Sequence, residues 1–121
     1  TNLKQELVDE ILWYKDIFGD DLYLEVQPSN QNDQLFVNMI LRNVSKTVKV
    51  PLVFSTDSHY GIKEEKILHS AFLHSQEGDR ETEEFYSTTY IMSYDEIKEY
   101  LSQTFTVEEI EEMRLNTLEI M

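Results

Sequence analysis

Residues 51–60 read Pro-Leu-Val-Phe-Ser-Thr-Asp-Ser-His-Tyr, and they constrain the fold more tightly than any other stretch. Leu52, Val53 and Phe54 form a short apolar run of β-branched and aromatic character, opened by Pro51. Such a run fits a strand buried on both faces, as in a parallel sheet. It stops at Ser55, Thr56, Asp57, Ser58 and His59. In α/β architectures, polar residues just past the C-terminal end of a buried strand occupy the positions where ligands bind. Asp57 and His59 are two apart, so in an extended chain both side chains project to one side. A carboxylate and an imidazole placed there suit a divalent metal of the zinc or manganese type. The plainer alternative makes Asp57 a loop or cap residue and His59 a polar surface side chain. The buried strand before the pair and the helix-like segment after it weigh toward the ligand role.

A strand of this kind needs a partner. Residues 22–26, Leu-Tyr-Leu-Glu-Val, supply one, with Leu22, Leu24 and Val26 on one face and Tyr23 and Glu25 on the other. Between the two strands lie a polar, turn-rich loop over 28–34 and a second helix. Asn32 or Asp33 is its expected cap, and Leu35, Phe36, Met39, Ile40 and Val44 form its apolar stripe. That helix is expected to fray over 46–49. Strand, helix and strand make a βαβ unit with a right-handed crossover. The strand over 22–26 should therefore lie parallel and adjacent to that over 52–55.

Before this unit, Leu3, Leu7, Val8, Ile11, Leu12 and Phe18 fall at helical spacing, with Thr1 or Asn2 as cap and Gly19 as the terminating residue. Trp13 and Tyr14 broaden the apolar face. After His59, Gly61 makes a bend and a third helix is expected from Ile62 or Lys63 to Gln76. Ile67, Leu68, Ala71, Phe72 and Ser75 should face inward. His69 and His74 lie on this helix five apart, which is not the spacing that presents two ligands on one face. Packing or surface roles fit them better than metal binding. Residues 77–84 read as an exposed acidic loop, and 85–92 as a short extended segment. Ser93 with Glu96, and Thr106 with Glu109, are capping boxes. The first starts a helix carried by Ile97, Tyr100 and Leu101. The second starts one carried by Ile110, Met113, Leu115, Leu118 and Ile120.

The chain of 121 residues suits one domain, and its 40% hydrophobic content can form a core. A formal charge of −14 should repel phosphate backbones, which makes the chain a poor nucleic-acid binder on its own. There is no cysteine, so disulfides, thiolate metal sites and cysteine nucleophiles are excluded, in keeping with a cytoplasmic location. No apolar run approaches the ~20 residues needed to span a bilayer, so no membrane partner is expected.

Several ordered landmarks resemble a known family. Trp13-Tyr14-Lys15-Asp16-Ile17-Phe18-Gly19-Asp20, then Leu22-Tyr23-Leu24-Glu25-Val26-Gln27, resemble a helix–strand segment of bacterial DNA polymerase III alpha subunits. Val50-Pro51-Leu52-Val53 with Thr56-Asp57-Ser58-His59-Tyr60 is similar to the next landmark of that family. Leu68-His69-Ser70-Ala71, Phe85-Tyr86, Ser93-Tyr94-Asp95-Glu96-Ile97 and Asn116-Thr117-Leu118-Glu119-Ile120 follow in order. The likeness is to the C-terminal part of the PHP (polymerase and histidinol phosphatase) domain, a metal-dependent phosphoesterase fold built as a distorted (β/α) barrel.

The resemblance implies an α/β fold. It would be a partial (β/α) barrel fragment, the C-terminal part of a PHP-type distorted TIM-like barrel, over residues 1–121. About two parallel strands and four to five helices are expected. It implies a piece of a larger replicative polymerase, of bacterial or phage origin, in which the domain is a structural platform or a metal-dependent 3′–5′ exonuclease. Asp57 and His59 would be metal ligands for zinc, manganese or magnesium, and not bases. The family's other ligands come from upstream motifs that this sequence lacks, so weak or no metal binding and no catalysis are expected of it alone. Its partners would be the rest of the polymerase chain, DNA only through that parent, and a second copy through exposed strand edges. Two alternatives stand beside this reading. One is a fragment of a non-polymerase PHP phosphoesterase, and the other a small acidic protein-interaction domain.

Overall fold

A computed structural model describes residues 2–74 and 85–121. Over these residues the framework is a two-stranded parallel sheet within a set of five α-helices. Helix α1 spans Asn2–Phe18, strand β1 Leu24–Val26, helix α2 Asn32–Val48 and strand β2 Leu52–Phe54. Helices α3 (Lys66–His74), α4 (Tyr94–Leu101) and α5 (Val107–Ile120) follow. Over the described residues the architecture is an α/β fold with two parallel strands and five α-helices, within the four to five helices that the sequence leads one to expect.

β1 and β2 pair in parallel, with Leu24 opposite Leu52, Glu25 opposite Val53 and Val26 opposite Phe54. Two further backbone bonds extend the ladder, Leu24 N–H to Pro51 O at 2.9 Å and Ser55 N–H to Val26 O at 3.1 Å. Proline opens β2 without cost because only its carbonyl is needed there. Both strands are shorter than the sequence pattern suggests, since Leu22 and Tyr23 precede the ladder and do not enter it.

Two apolar clusters flank the strands. Val26 and Leu52 pack with Tyr90, Met92, Ile97, Leu101, Phe105, Ile110 and Met113, which puts α4 and α5 over one side. Ile11, Val44, Val48 and Val50 form the other cluster and join α1 to α2. Asn116 Nδ2 donates to the Leu52 carbonyl at 3.0 Å and ties α5 to β2. At the end of α2, Lys15 Nζ donates to the Val48 carbonyl at 2.8 Å, where a cation complements the helix C-terminus.

Helix boundaries depart from expectation in physical ways. α2 does not fray over 46–49; it runs to Val48 and ends on Lys49 in the left-handed region, φ 57°. Its cap residue is Gln31, one position before Asn32, and no side chain caps it. Gly19, φ 57°, ends α1 as expected and opens a 3₁₀ turn over Gly19–Asp21. A second 3₁₀ turn, Lys63–Glu65, precedes α3 and shortens the expected third helix. Residues 85–92 are not an extended strand: Phe85–Thr88 form a 3₁₀ turn, and Tyr90 makes one isolated parallel bridge to Tyr60. Both capping boxes form as read, with Ser93 Oγ accepting from Glu96 N–H and Thr106 Oγ1 from Glu109 N–H. Thr1, Ser75, Gln76 and the acidic stretch 77–84 lie outside the described residues, as does the side chain of His74.

The expected inward faces are only partly buried. Leu3, Leu12 and Phe18 of α1, Phe36 and Met39 of α2, Ile67, Leu68 and Phe72 of α3, and Leu115, Leu118 and Ile120 of α5 are all exposed. Helical periodicity identifies residues that share a face; burial further requires an element to cover that face.

Candidate functional site at the end of the second strand

The chain leaves β2 through a compact hydroxyl-rich turn. Ser55 Oγ accepts from Asp57 N–H at 3.2 Å, and the Thr56 and Ser58 hydroxyls lie 2.6 Å apart. Asp57 adopts the left-handed conformation, φ 47°, which a short polar side chain tolerates better than most. This overturns the premise that residues 57–59 are extended. The strict alternation of side chains therefore does not hold across Asp57. Asp57 and His59 are both exposed.

His59 is fixed from two directions. Its Nδ1 lies 2.7 Å from the Asp57 carbonyl, and its backbone N–H donates to Thr89 O at 2.7 Å. A backbone carbonyl on Nδ1 selects the tautomer that carries its proton there and leaves Nε2 as the lone-pair atom, the arrangement that metal-ligating histidines use.

Around His59 the fold assembles rings from three segments. His69 of α3 lies 5.5 Å from His59 by ring centroids, and Tyr86 lies 5.0 Å from His59 and 4.7 Å from His69, all edge to face. Tyr60 packs 5.6 Å from His69 and 5.9 Å from Tyr90, and its hydroxyl donates to Tyr86 O at 2.7 Å. Burial, with the neighbouring His59, pushes the His69 imidazole below its ordinary pKa. Burial chiefly raises the Tyr60 phenol.

The spacing of His69 and His74 gave no hint of this. His69 is half-buried against His59 because Gly61 and the Lys63–Glu65 turn reverse the chain onto the strand end. The Glu65 carboxylate accepts from the N–H groups of Gly61 and Ile62 at 3.1 and 3.3 Å and fixes that reversal. A side chain at position 61 would meet the same carboxylate oxygen, which lies 2.8 Å from where a Cβ would stand. Among the described residues, no group of three or more His, Asp or Glu side chains is arranged to hold a metal ion.

Comparison with known proteins places this arrangement in context. Over 97 residues, 79% of this chain, it is 31% identical to "Probable DNA polymerase YorL" of Bacillus subtilis. Over 114 residues, 89% of the chain, it is 34% identical to a DNA polymerase III subunit alpha of Aquifex aeolicus. A DNA polymerase III subunit alpha of Borreliella burgdorferi matches over 65 residues, 54% of the chain, at 42% identity. The chain is related to a region of DNA polymerase III alpha-type proteins. The matched regions are 7%, 10% and 6% of those relatives' lengths, so the chain spans a tenth of a polymerase III alpha-type protein or less. No family model and no solved structure matches it. Among the described residues, no helix is long and apolar enough to cross a membrane.

Proposed function

We propose that the chain is the C-terminal segment of the PHP domain of a DNA polymerase III alpha-type replicative polymerase, working in DNA replication as part of that larger protein. The observation that carries this reading is the position of Asp57-Ser58-His59. The motif follows a buried parallel strand of a βαβ unit, in a chain whose relatives are named DNA polymerases. In the intact parent, Asp57 and His59 would contribute two ligands to a zinc, manganese or magnesium site whose remaining ligands lie elsewhere in the chain. Such a metal would activate water for phosphodiester hydrolysis. Here the donor set is incomplete, and the chain alone is inactive as a nuclease or phosphatase. Its own contribution is then structural: it orients His59 through the Asp57 carbonyl and presents apolar helix faces to the rest of the polymerase.

The exposed faces of α1, α3 and α5 support the platform role, since Trp13, Ile17, Leu68, Phe72, Leu118 and Ile120 present more apolar surface than an isolated domain needs. Sequencing the DNA on both sides of the coding segment tests the proposal. An upstream His-x-His motif and downstream polymerase aspartates in the same reading frame are expected. Their absence would overturn it in favour of a free-standing interaction domain.

A further inference from the structure

A broad cavity of about 790 Å³ opens beside β1, between the C-terminal ends of α1 and α5. Its floor is apolar, formed by Phe18, Leu22, Val53 and Ile120, and both Phe18 and Ile120 are more than half exposed. Glu25 and Val53 stand opposite each other in the ladder and both line this cavity. Their neighbours Leu24 and Val26 pack instead into the apolar clusters. Strand alternation thus sets a covered face of the sheet against an open one.

Carboxylates ring that open floor. Asp20 and Asp21 come from the 3₁₀ turn after α1, Glu25 from β1 and Glu119 from α5. All four are exposed, and none forms an ion pair among the described residues. Glu109 and Glu111, by contrast, are held by Arg42 and Arg114. No lysine, arginine or histidine lines the cavity. Burial first, then the Glu119, Asp21 and Asp20 carboxylates, push the Tyr23 phenol in its wall above the ordinary pKa. Among the described residues no three carboxylates are arranged to hold a metal ion, so this charge suits cations spread along a segment. Phe18 and Tyr23 add aromatic rings, whose faces attract ammonium and guanidinium groups.

We propose that this cavity docks a basic polypeptide segment, with an apolar side chain on the floor and lysine or arginine against Asp20, Asp21, Glu25 and Glu119. Charge complementarity selects such a partner over a second copy, since each copy carries a formal charge of −14. In the polymerase the segment would belong to the rest of the parent chain. That source rests on the function proposed above, while the chemistry of the segment rests on the cavity.

The probe is an amidated peptide in which lysines flank a central leucine. It is titrated into the full chain and followed by backbone amide NMR at physiological salt, with chelator present. Saturable shifts are expected at residues 20–25 and 119–120 and not in α4. Serine in place of the leucine should weaken binding by about 5-fold or more. Glutamates in place of the lysines should abolish it. Glu25→Gln with Glu119→Gln should weaken it by about 2- to 20-fold, the range expected for two exposed ion pairs. Glu6→Gln with Glu10→Gln removes the same charge from α1 outside the cavity. It should leave affinity unchanged, because salt screens charges beyond ~8 Å. All these positions are exposed, and unchanged α4 amides would show that each variant is folded. Missing polymerase motifs in the flanking DNA would overturn the parent's identity and leave these shifts in place, so the two failures are told apart. No saturable shift at 20–25 and 119–120, equal losses in the two double variants, or equal binding of the serine peptide would each overturn the proposal.

Discussion

Arg42 of α2 and Glu109 of α5 face each other with the Arg42 Nε 2.9 and 3.1 Å from the two carboxylate oxygens. Lys46 adds a second cation at 3.5 Å. The same carboxylate accepts from Thr106 N–H at 3.0 Å and completes the capping box of α5. One side chain thus joins the crossover helix of the βαβ unit to the helix that covers the sheet. The Arg42 hydrogen bond, with Thr106 N–H and the nearby cations, outweighs burial and holds the Glu109 carboxyl down at about 2.

A carboxyl whose folded pKa lies below its unfolded value contributes stability above the unfolded value and loses it as pH falls through the folded one. For Glu109 that window runs from 4.5 down to about 2. Glu109→Gln keeps the capping geometry and removes the charge. It should destabilise the chain by about 1–2 kcal/mol near neutral pH, after allowance for solvent screening of a partly exposed pair. The difference from wild type should shrink across that window. Urea unfolding at several pH values measures it. A difference independent of pH would show that the charge contributes nothing.

Asn38 is a polar residue inside the fold, 1% exposed, and it holds the end of β1. Its Nδ2 donates to Gln27 O at 2.7 Å, and its Oδ1 accepts from Gln34 Nε2 at 2.9 Å and Gln27 N–H at 3.4 Å. Asn38→Leu preserves volume and leaves the Gln27 backbone unpaired. We expect a loss of about 2–4 kcal/mol, since each buried group left unsatisfied costs about 1–3. Chemical denaturation checks this, and a loss under about 1 kcal/mol would mean that water replaces the amide.

Lys49 stands where helices favour glycine. Its φ of 57° and ψ of 46° place it in the left-handed region, while its N–H returns to Ser45 O as the helix cap. That conformation costs a side-chain-bearing residue roughly 1–2 kcal/mol, partly offset by the greater entropy glycine loses on folding. Lys49→Gly should therefore stabilise the chain by about 0.5–1 kcal/mol. A thermal melt with unchanged or lowered midpoint would count against the assigned cap geometry.

What the sequence made legible follows from local rules that tertiary context did not overturn. Leu52-Val53-Phe54 after Pro51 could form little other than a buried strand, and the two capping boxes each satisfy their own amides. Helix length between the strands forced the parallel pairing. The site was less legible because its partners come from remote segments. Nothing near His69 announces that His59 and Tyr86 will meet it. The apolar residues of α3 misled for a different reason. Ile67 and Leu68 are 74% and 68% exposed although their spacing is that of a core face. Spacing reports a face that needs covering, and the described residues leave this one exposed.

The end of β2 should bind a divalent metal only weakly. With Nδ1 held by the Asp57 carbonyl, His59 offers Nε2, and the His69 imidazole lies 5.5 Å away by ring centroids. Two or three protein groups fall at or below the roughly three or four that stable zinc sites use, so binding should be weak, micromolar at best. The appropriate aspartate variant is Asp57→Asn, because asparagine tolerates the left-handed backbone that alanine would strain. Zinc and manganese titrations of wild type, Asp57→Asn, His59→Ala and His69→Ala separate the contributors. We expect the first two substitutions to weaken binding. A further loss in His69→Ala would enlist that residue as a ligand, and no nuclease or phosphatase turnover should accompany any of them. Tight binding indifferent to both Asp57→Asn and His59→Ala would remove this strand end from consideration as a metal site.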